Sequence, residues 1–492
     1  MTRHLAAACL LIGMLTPALA SANPEPTAYD TRSISMGLTG TTYLERASAL
    51  VLNPANMEGI GKLGFTLNFT ALFTRQIAPV QGPNTEGRSS LGFGPIPSGF
   101  IAGRIAPRVV FGAGIVIETG YGSSFDDVVC LDGAPVTPDP SMVAGADDYV
   151  PNTDPTTCRN SMAEDLNVTF FVGEASLGTS YKIHEKFWLG VALRLPFSKQ
   201  VADLYQNVGA AVGQVGYGRV KNDLSGVGFP SPRIGITIKP HRKVNIGIMY
   251  RMWSKIKLTG ETSTGPLDNP NLSLLGDQTL SATADWNIPH ALQFGVSYQA
   301  NQRLLLAWEL RLQFHGAKNQ GNLNQTVNSS LPLANGNTLD VTTVVGFGWE
   351  TVWSAKFGVE YRFKKADVMS FRGGINVAKA AASEPWAQYF TPPPGISVTP
   401  TMGFGFYWDD RNDPNIKDKY QLDIGTLFSY SGTKIGDNYI GTEQEIPGAP
   451  LLPNGDRDTE IVCSSDQVVR TGCPGRIGVF TYWASLAFTL QY

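Results

Sequence analysis

The chain is short of charge. Asp, Glu, Lys and Arg make up 16% of its 492 residues, against about 25% in ordinary soluble domains. The net charge of -3 leaves no basic face for nucleic acid or another polyanion. Histidine is scarce as well. The five are scattered, and neither G-x-S-x-G nor H-E-x-x-H occurs, so the sequence offers no nucleophile elbow and no zinc helix. The single G-x-G-x-x-G, Gly59 to Gly64, runs into the alternating Phe65, Leu67, Phe69. Without a helix N-terminus behind it there is no phosphate cradle, and it reads as a hinge. Asp409, Asp410 and Asp413 read as a solvated turn rather than a cation site. No enzyme, cofactor or metal centre is expected. Long apolar runs are also missing beyond Leu5 to Leu15, and nothing approaches the roughly 18 residues of a membrane helix.

What is present is alternation. Aromatics reach 10% and Gly 53 residues, while mean hydropathy stays near zero at -0.06. The stretch FTYWASLAFTLQY from Phe480 to Tyr492 places an apolar or aromatic residue at every second position, which gives a strand one greasy face. Similar runs occur at Phe187 to Leu195, Val244 to Tyr250, Leu292 to Tyr298, Leu304 to Phe314 and Ala355 to Phe363, with Arg194, Arg251, Glu309, Arg311, Lys356 and Glu360 on their alternate faces. Charges at that spacing fit a wet lumen, not a sandwich core. Short turns such as His184 to Lys186 alternate with long Gly/Pro/Asn/Asp-rich stretches, chiefly Ser123 to Glu164, Gly260 to Gln278, Gly316 to Asp340, Lys379 to Ser397 and Ser431 to Gly475. Short turns on one side and long loops on the other are the outer-membrane pattern. The reading is all-β: a transmembrane antiparallel β-barrel of about 14 strands, over residues 63–492.

Arg3 and His4 ahead of the apolar run, followed by Ala18-Leu19-Ala20-Ser21-Ala22, predict a signal peptide over residues 1–22 and export. Residues 23–62 are not strand-like and are expected to plug the lumen as an N-terminal hatch. Cys9 leaves with the signal. Cys130 with Cys158, and Cys463 with Cys473, each share one predicted outer loop, which suggests two disulfides formed in an oxidising compartment. Metal binding is the weaker alternative, because neither loop has C-x-x-C or a nearby His.

Ser33-Ile34-Ser35-Met36-Gly37, Ala47-Ser48-Ala49-Leu50 and Asn53-Pro54-Ala55, followed by Trp286-Asn287-Ile288-Pro289, Leu292 to Tyr298, Phe357 to Arg362 and Phe371 to Gly374, resemble the FadL/TodX family of outer-membrane long-chain fatty-acid and hydrocarbon transporters. Two positions depart from its pattern: Leu38 stands where a second Gly is usual, and Asn56-Met57 where Gly-Leu is common. The resemblance implies a hatch-closed barrel that releases a hydrophobic molecule sideways beside an inward-kinked third strand. On this chain that strand is expected over Val109 to Thr119, with Gly120 and Gly122 as candidates for the kink; a plain glycine turn is the alternative. Asn53-Pro54-Ala55 would belong to the hatch, although Asn-Pro also simply starts turns. The expected partners are a fatty acid or hydrocarbon, outer-membrane lipid and lipopolysaccharide, and the barrel-assembly machinery through the strand ending at Tyr492. A monomer in the outer membrane of a Gram-negative bacterium is expected. The other reading of the same barrel is a porin-like channel or structural protein.

Overall fold

The computed structural model describes residues 29–80, 84, 86–130, 163–207, 217–267, 278–317, 319–322, 324–332, 338–364, 368–387, 391–409, 419–436 and 474–492. No helix among them is long and apolar enough to cross a membrane. Fourteen barrel strands can be followed: β1 (Leu63–Ala78), β2 (Gly92–Ala106), β3 (Val109–Cys130), β4 (Ala163–His184), β5 (Phe187–Asn207), β6 (Tyr217–Gly228 and Ser231–His241), β7 (Val244–Arg251 and Ser254–Leu267), β8 (Thr279–Ile288 and Ala291–Gln299), β9 (Leu304–Gln313 and Asn324–Pro332), β10 (Thr338–Gly346 and Val352–Arg362), β11 (Met369–Lys379), β12 (Ile396–Trp408), β13 (Tyr420–Ile435) and β14 (Gly475–Gln491). Neighbours pair antiparallel, and β1 pairs with β14 from Gly64↔Gln491 to Ile77↔Gly478. The sheet is therefore a closed barrel, and closure removes the edges an open sheet would present.

Strands β6 to β10 run in two collinear pieces. Both pieces of β6 lie on β5, the lower from Phe187↔Ile238 to Arg194↔Ser231 and the upper from Phe197↔Val227 to Asn207↔Tyr217. Pro230 interrupts β6 and Pro289 interrupts β8, each at a position where a residue without an N–H cannot continue the ladder.

The breaks also turn the side chains over. In the lower piece of β7, Gly247, Met249 and Arg251 are buried inside while Ile246, Ile248 and Tyr250 face out; in the upper piece Ile256 and Leu258 are buried and Lys255, Lys257 and Glu261 are exposed. A one-residue slip exchanges the two faces of a strand. Below the breaks the wall is apolar outside and polar inside; above them, in β6 to β8, it is polar outside and apolar inside. The sequence presents Gly316 to Asp340 as one long loop, yet it carries the upper strand piece Asn324–Pro332 and the start of Thr338–Gly346. The first of these reads NQTVNSSLP, too polar to show an apolar alternation.

Residues 29–62 lie inside the barrel. They form α1 (Thr31–Ser35), α2 (Ala49–Leu52) and a 3-10 turn over Pro54–Gly59. Of residues 29–58 all but Arg32 and Glu45 are buried. Asp30 caps α1, accepting from the amides of Arg32 at 2.9 Å and Ser33 at 3.3 Å, the usual way to satisfy the first orphan donors of a helix. The helix packs on β11 to β14, and the 3-10 turn packs on β3 to β6 at the other side of the lumen. Leu38, with φ of 63°, holds the left-handed backbone that a glycine would take without strain.

Candidate functional site

The seat of the inner segment is built from short side chains. The Asn53 side-chain amide donates to the Thr41 carbonyl at 2.8 Å and, in β6, to the Thr237 hydroxyl at 3.0 Å and the Ile236 carbonyl at 3.2 Å. Its own oxygen accepts from the Ala55 amide at 3.2 Å, and Pro54 begins the 3-10 turn where a missing N–H costs nothing. The wall admits this turn because it carries no side chains there. A Cβ on Gly190 would overlap the Ala55 backbone nitrogen, and one on Gly235 would overlap the Asn53 side-chain oxygen. The opposite wall repeats the device: Gly358 and Gly374 lie against the backbone of Met36 and Gly37, and Gly403 against Ser35.

Ion pairs then tie segment to wall. Arg46 reaches Asp423 at 2.8 Å and Asp30 at 3.4 Å, Arg372 reaches Asp423 at 2.6 Å and also binds Glu360, and Arg32 binds Glu360 at 2.7 Å. The three cations and three anions balance. In β9, Glu309 accepts from the amides of Gly40 at 2.7 Å and Thr41 at 2.6 Å. Burial raises the Tyr43 phenol well above its ordinary range, so its hydroxyl keeps the proton it shares with Thr39 at 2.9 Å. Lumen charges that the sequence assigns to water are thus paired with one another and with the inner segment.

Above this level the interior is apolar. Leu224, Ile256, Leu258, Ala282, Ala284 and Trp286 are buried inside the upper wall. Trp286 is the hub of its aromatic contacts, with ring centroids 4.4 Å from Phe170, 5.5 Å from Trp349 and 5.7 Å from Phe347. The floor of this apolar cluster is ionic. Arg194 binds Glu174 and Glu118, each at 2.7 Å; Arg233 binds Glu174 at 2.6 Å; Arg251 binds Glu118. The same guanidiniums hold carbonyls that the strand breaks set free: Arg194 donates to Met252 at 3.2 Å and Arg251 to Pro289 at 3.0 Å.

Beside the floor the wall is incompletely laddered. The β2–β3 register ends at Gly99↔Ile115, whereas β3 continues on β4 and β2 continues on β1 up to Thr74↔Gly92. The register of β3 on β4 slips between Ile117 and Thr119, so the extra residue is Glu118, whose carboxylate joins the floor. Gly120 and Gly122 lie just above the slip, in register with Phe171 and Thr169. A second thin place, between the pieces of β8 and β9, is closed by side chains: Asn322 donates to the Asn287 carbonyl at 2.7 Å, and Asn287 donates to the Gly321 carbonyl at 2.9 Å.

No family model and no curated protein matches the sequence. Solved structures do match in fold. A FadL homologue of Pseudomonas aeruginosa superposes with a TM-score of 0.66 at 15% identity, over 94% of this chain and 98% of that one. The toluene transporter TbuX of Ralstonia pickettii gives 0.61 at 16%, over 95% and 99%. The P. putida toluene transporter TodX gives 0.62 at 15%, over 95% and 99%. The chain has the FadL barrel fold.

Within this FadL-type barrel the residues singled out from the sequence fall in separate places. Asn53, Pro54 and Ala55 sit together against β5 and β6. Gly120 and Gly122 are in the wall on the third strand, and Gly122 is pressed against the Val168 carbonyl. Cys158, Cys463 and Cys473 lie outside the described residues, and of Cys130 only the backbone at the end of β3 is described. The ionic floor and the glycine seats were not anticipated as units. The available signal was an inward glycine on each of five wall strands, Gly190, Gly235, Gly247, Gly295 and Gly358, which only the register aligns.

Proposed function

We propose that this protein is an outer-membrane transporter that takes up hydrophobic small molecules, fatty acids or hydrocarbons, and releases them sideways into the membrane, with residues 23–62 acting as the hatch. The apolar band below the strand breaks would meet lipid, and the polar wall above them would stand in water and lipopolysaccharide. The observation that carries the reading is an apolar upper interior ending on a buried ionic floor beside an unladdered stretch of wall. An apolar molecule gains about 0.8 kcal/mol per methylene buried among such side chains. To go straight down it would have to break charge-assisted hydrogen bonds in a dry interior, which is costly. Leaving through the wall avoids that cost. On this reading the slip at Glu118, with Gly120 and Gly122 beyond it, supplies the bend of the third strand. Assembly would proceed through the outer-membrane machinery reading β14, after removal of residues 1–22.

Leu258→Asp is expected to insert normally and to lose uptake of both labelled toluene and labelled oleate, because it places an unpaired carboxylate in the apolar upper interior. Uptake by cells carrying a normally inserted variant checks this, and undiminished uptake would rule out the upper interior as the route.

We also propose that Cys130–Cys158 and Cys463–Cys473 are disulfides of the mature protein. Non-reducing peptide mapping is expected to recover those two linked pairs; cross-pairing or four free thiols would refute it.

A further inference from the structure

The unladdered wall has a cause in strand β2. The Arg104 amide donates to the Lys62 carbonyl at 2.9 Å, so Arg104 turns its backbone groups toward β1. Register with β1 runs without a slip from Leu63↔Gly103 to Thr74↔Gly92. In an antiparallel strand, alternate residues direct their N–H and C=O to opposite neighbours. Even-numbered residues of β2 therefore serve β1, and odd-numbered residues serve β3. Pro95 and Pro97 are odd. Both missing N–H groups fall on the edge that faces β3, and the β2–β3 ladder stops at Gly99↔Ile115, one pairing position below Pro97. Continuing that register would set Pro97 opposite Ile117, where β3 itself slips. Above, the Ser90 amide bonds the Ser124 carbonyl at 2.8 Å and draws the two strands together again.

We infer that Pro95 and Pro97 hold the side opening of the barrel by making the β2 edge unable to zip onto β3. This rests on the lateral-release reading above and identifies the residues that maintain the exit. The chain at this place reads GFGPIPSGF. Proline is tolerated in sheets where its nitrogen faces no partner, so here it keeps an edge open without cost to the β1 pairing. On the outer face an apolar cavity of about 680 Å³ begins at Gly99, Gly114 and Ile115, the last rung of the ladder, and continues past Leu177, Leu193 and Leu195. A molecule leaving through the wall would meet apolar surface at once. The substrate class is accordingly neutral and apolar at its leading end.

The test restores the donors. In Pro95→Thr/Pro97→Thr, the two new amides are expected to exchange slowly with deuterium, together with the Ile117 amide of β3, which faces β2 in the continued register. Membrane insertion should be retained, as should quenching of tryptophan fluorescence from the Trp286 cluster by added toluene, while toluene uptake is lost. Absence of new protection would overturn the role of the prolines, whatever uptake does. New protection with unchanged uptake would instead overturn lateral release at this wall, and the transport role of the prolines with it. If the double variant fails to insert, the single variants Pro95→Thr and Pro97→Thr decide by the same readings.

Discussion

Gly235→Val is expected to convert a barrel that conducts few ions into one with a steady open conductance. The position lies under the Asn53 side chain, and a Cβ there would overlap its oxygen. That overlap involves a side chain fixed by three donated hydrogen bonds and a backbone turn, so it cannot be relieved by a rotamer change. Overpacking alone costs about 1–3 kcal/mol, and each hydrogen bond lost when Asn53 leaves its seat costs about 0.5–1.5 kcal/mol more. The wall itself is little affected, because β6 keeps its ladders on both sides. Planar-bilayer recordings measure the result, with deletion of Asn23 to Gly61 as the fully open reference and Gly190→Val as an independent variant at the same turn. A silent Gly235→Val barrel would mean that the seat does not hold the hatch closed. A large conductance from the unmodified protein would favour a porin instead.

The second large effect concerns folding. Arg194→Met preserves side-chain volume approximately but removes the cation that binds both Glu174 and Glu118 and holds the Met252 carbonyl. Glu174 keeps Arg233 and Glu118 keeps Arg251, so the loss is that of two charge-assisted hydrogen bonds and of the donor to the Met252 carbonyl, about 1.5–3 kcal/mol for each bond to a charged group. The barrel is expected to unfold at a lower denaturant concentration on a heat-modifiability gel. Adding Glu174→Gln should deepen the loss, because Arg233 then gives up the carboxylate it binds at 2.6 Å. Lys199→Met, which removes only the half-exposed partner of Asp223 at 3.4 Å, is expected to change stability by less than about 1 kcal/mol. Equal effects from Arg194 and Lys199 would contradict the floor as a buried, coupled unit.

The sequence by itself determined the barrel. Period-2 alternation is a property of adjacent residues, and it needs no partner to be seen at Leu292 to Tyr298 or in the closing strand at Tyr492. It failed at Asn324–Pro332, because a strand with water outside and a mixed interior has no apolar repeat to show. The Asn53-Pro54-Ala55 turn was legible for a similar local reason: an Asx cap and a first-turn proline act within three residues. Only the tertiary structure decided the rest. Arg194, Arg233, Arg251, Glu118 and Glu174 come from five different strands, so their pairing depends on the register of four ladders and on the slip at Glu118. Gly190 and Gly235 become a seat only once β5 and β6 are aligned against the inner turn. Pro95 and Pro97 are visible as prolines in the chain, yet which neighbour their missing N–H faces is fixed by a hydrogen bond at Arg104, several residues away. Backbone direction in a sheet is set by pairing, and pairing is the part of the fold that no local segment contains.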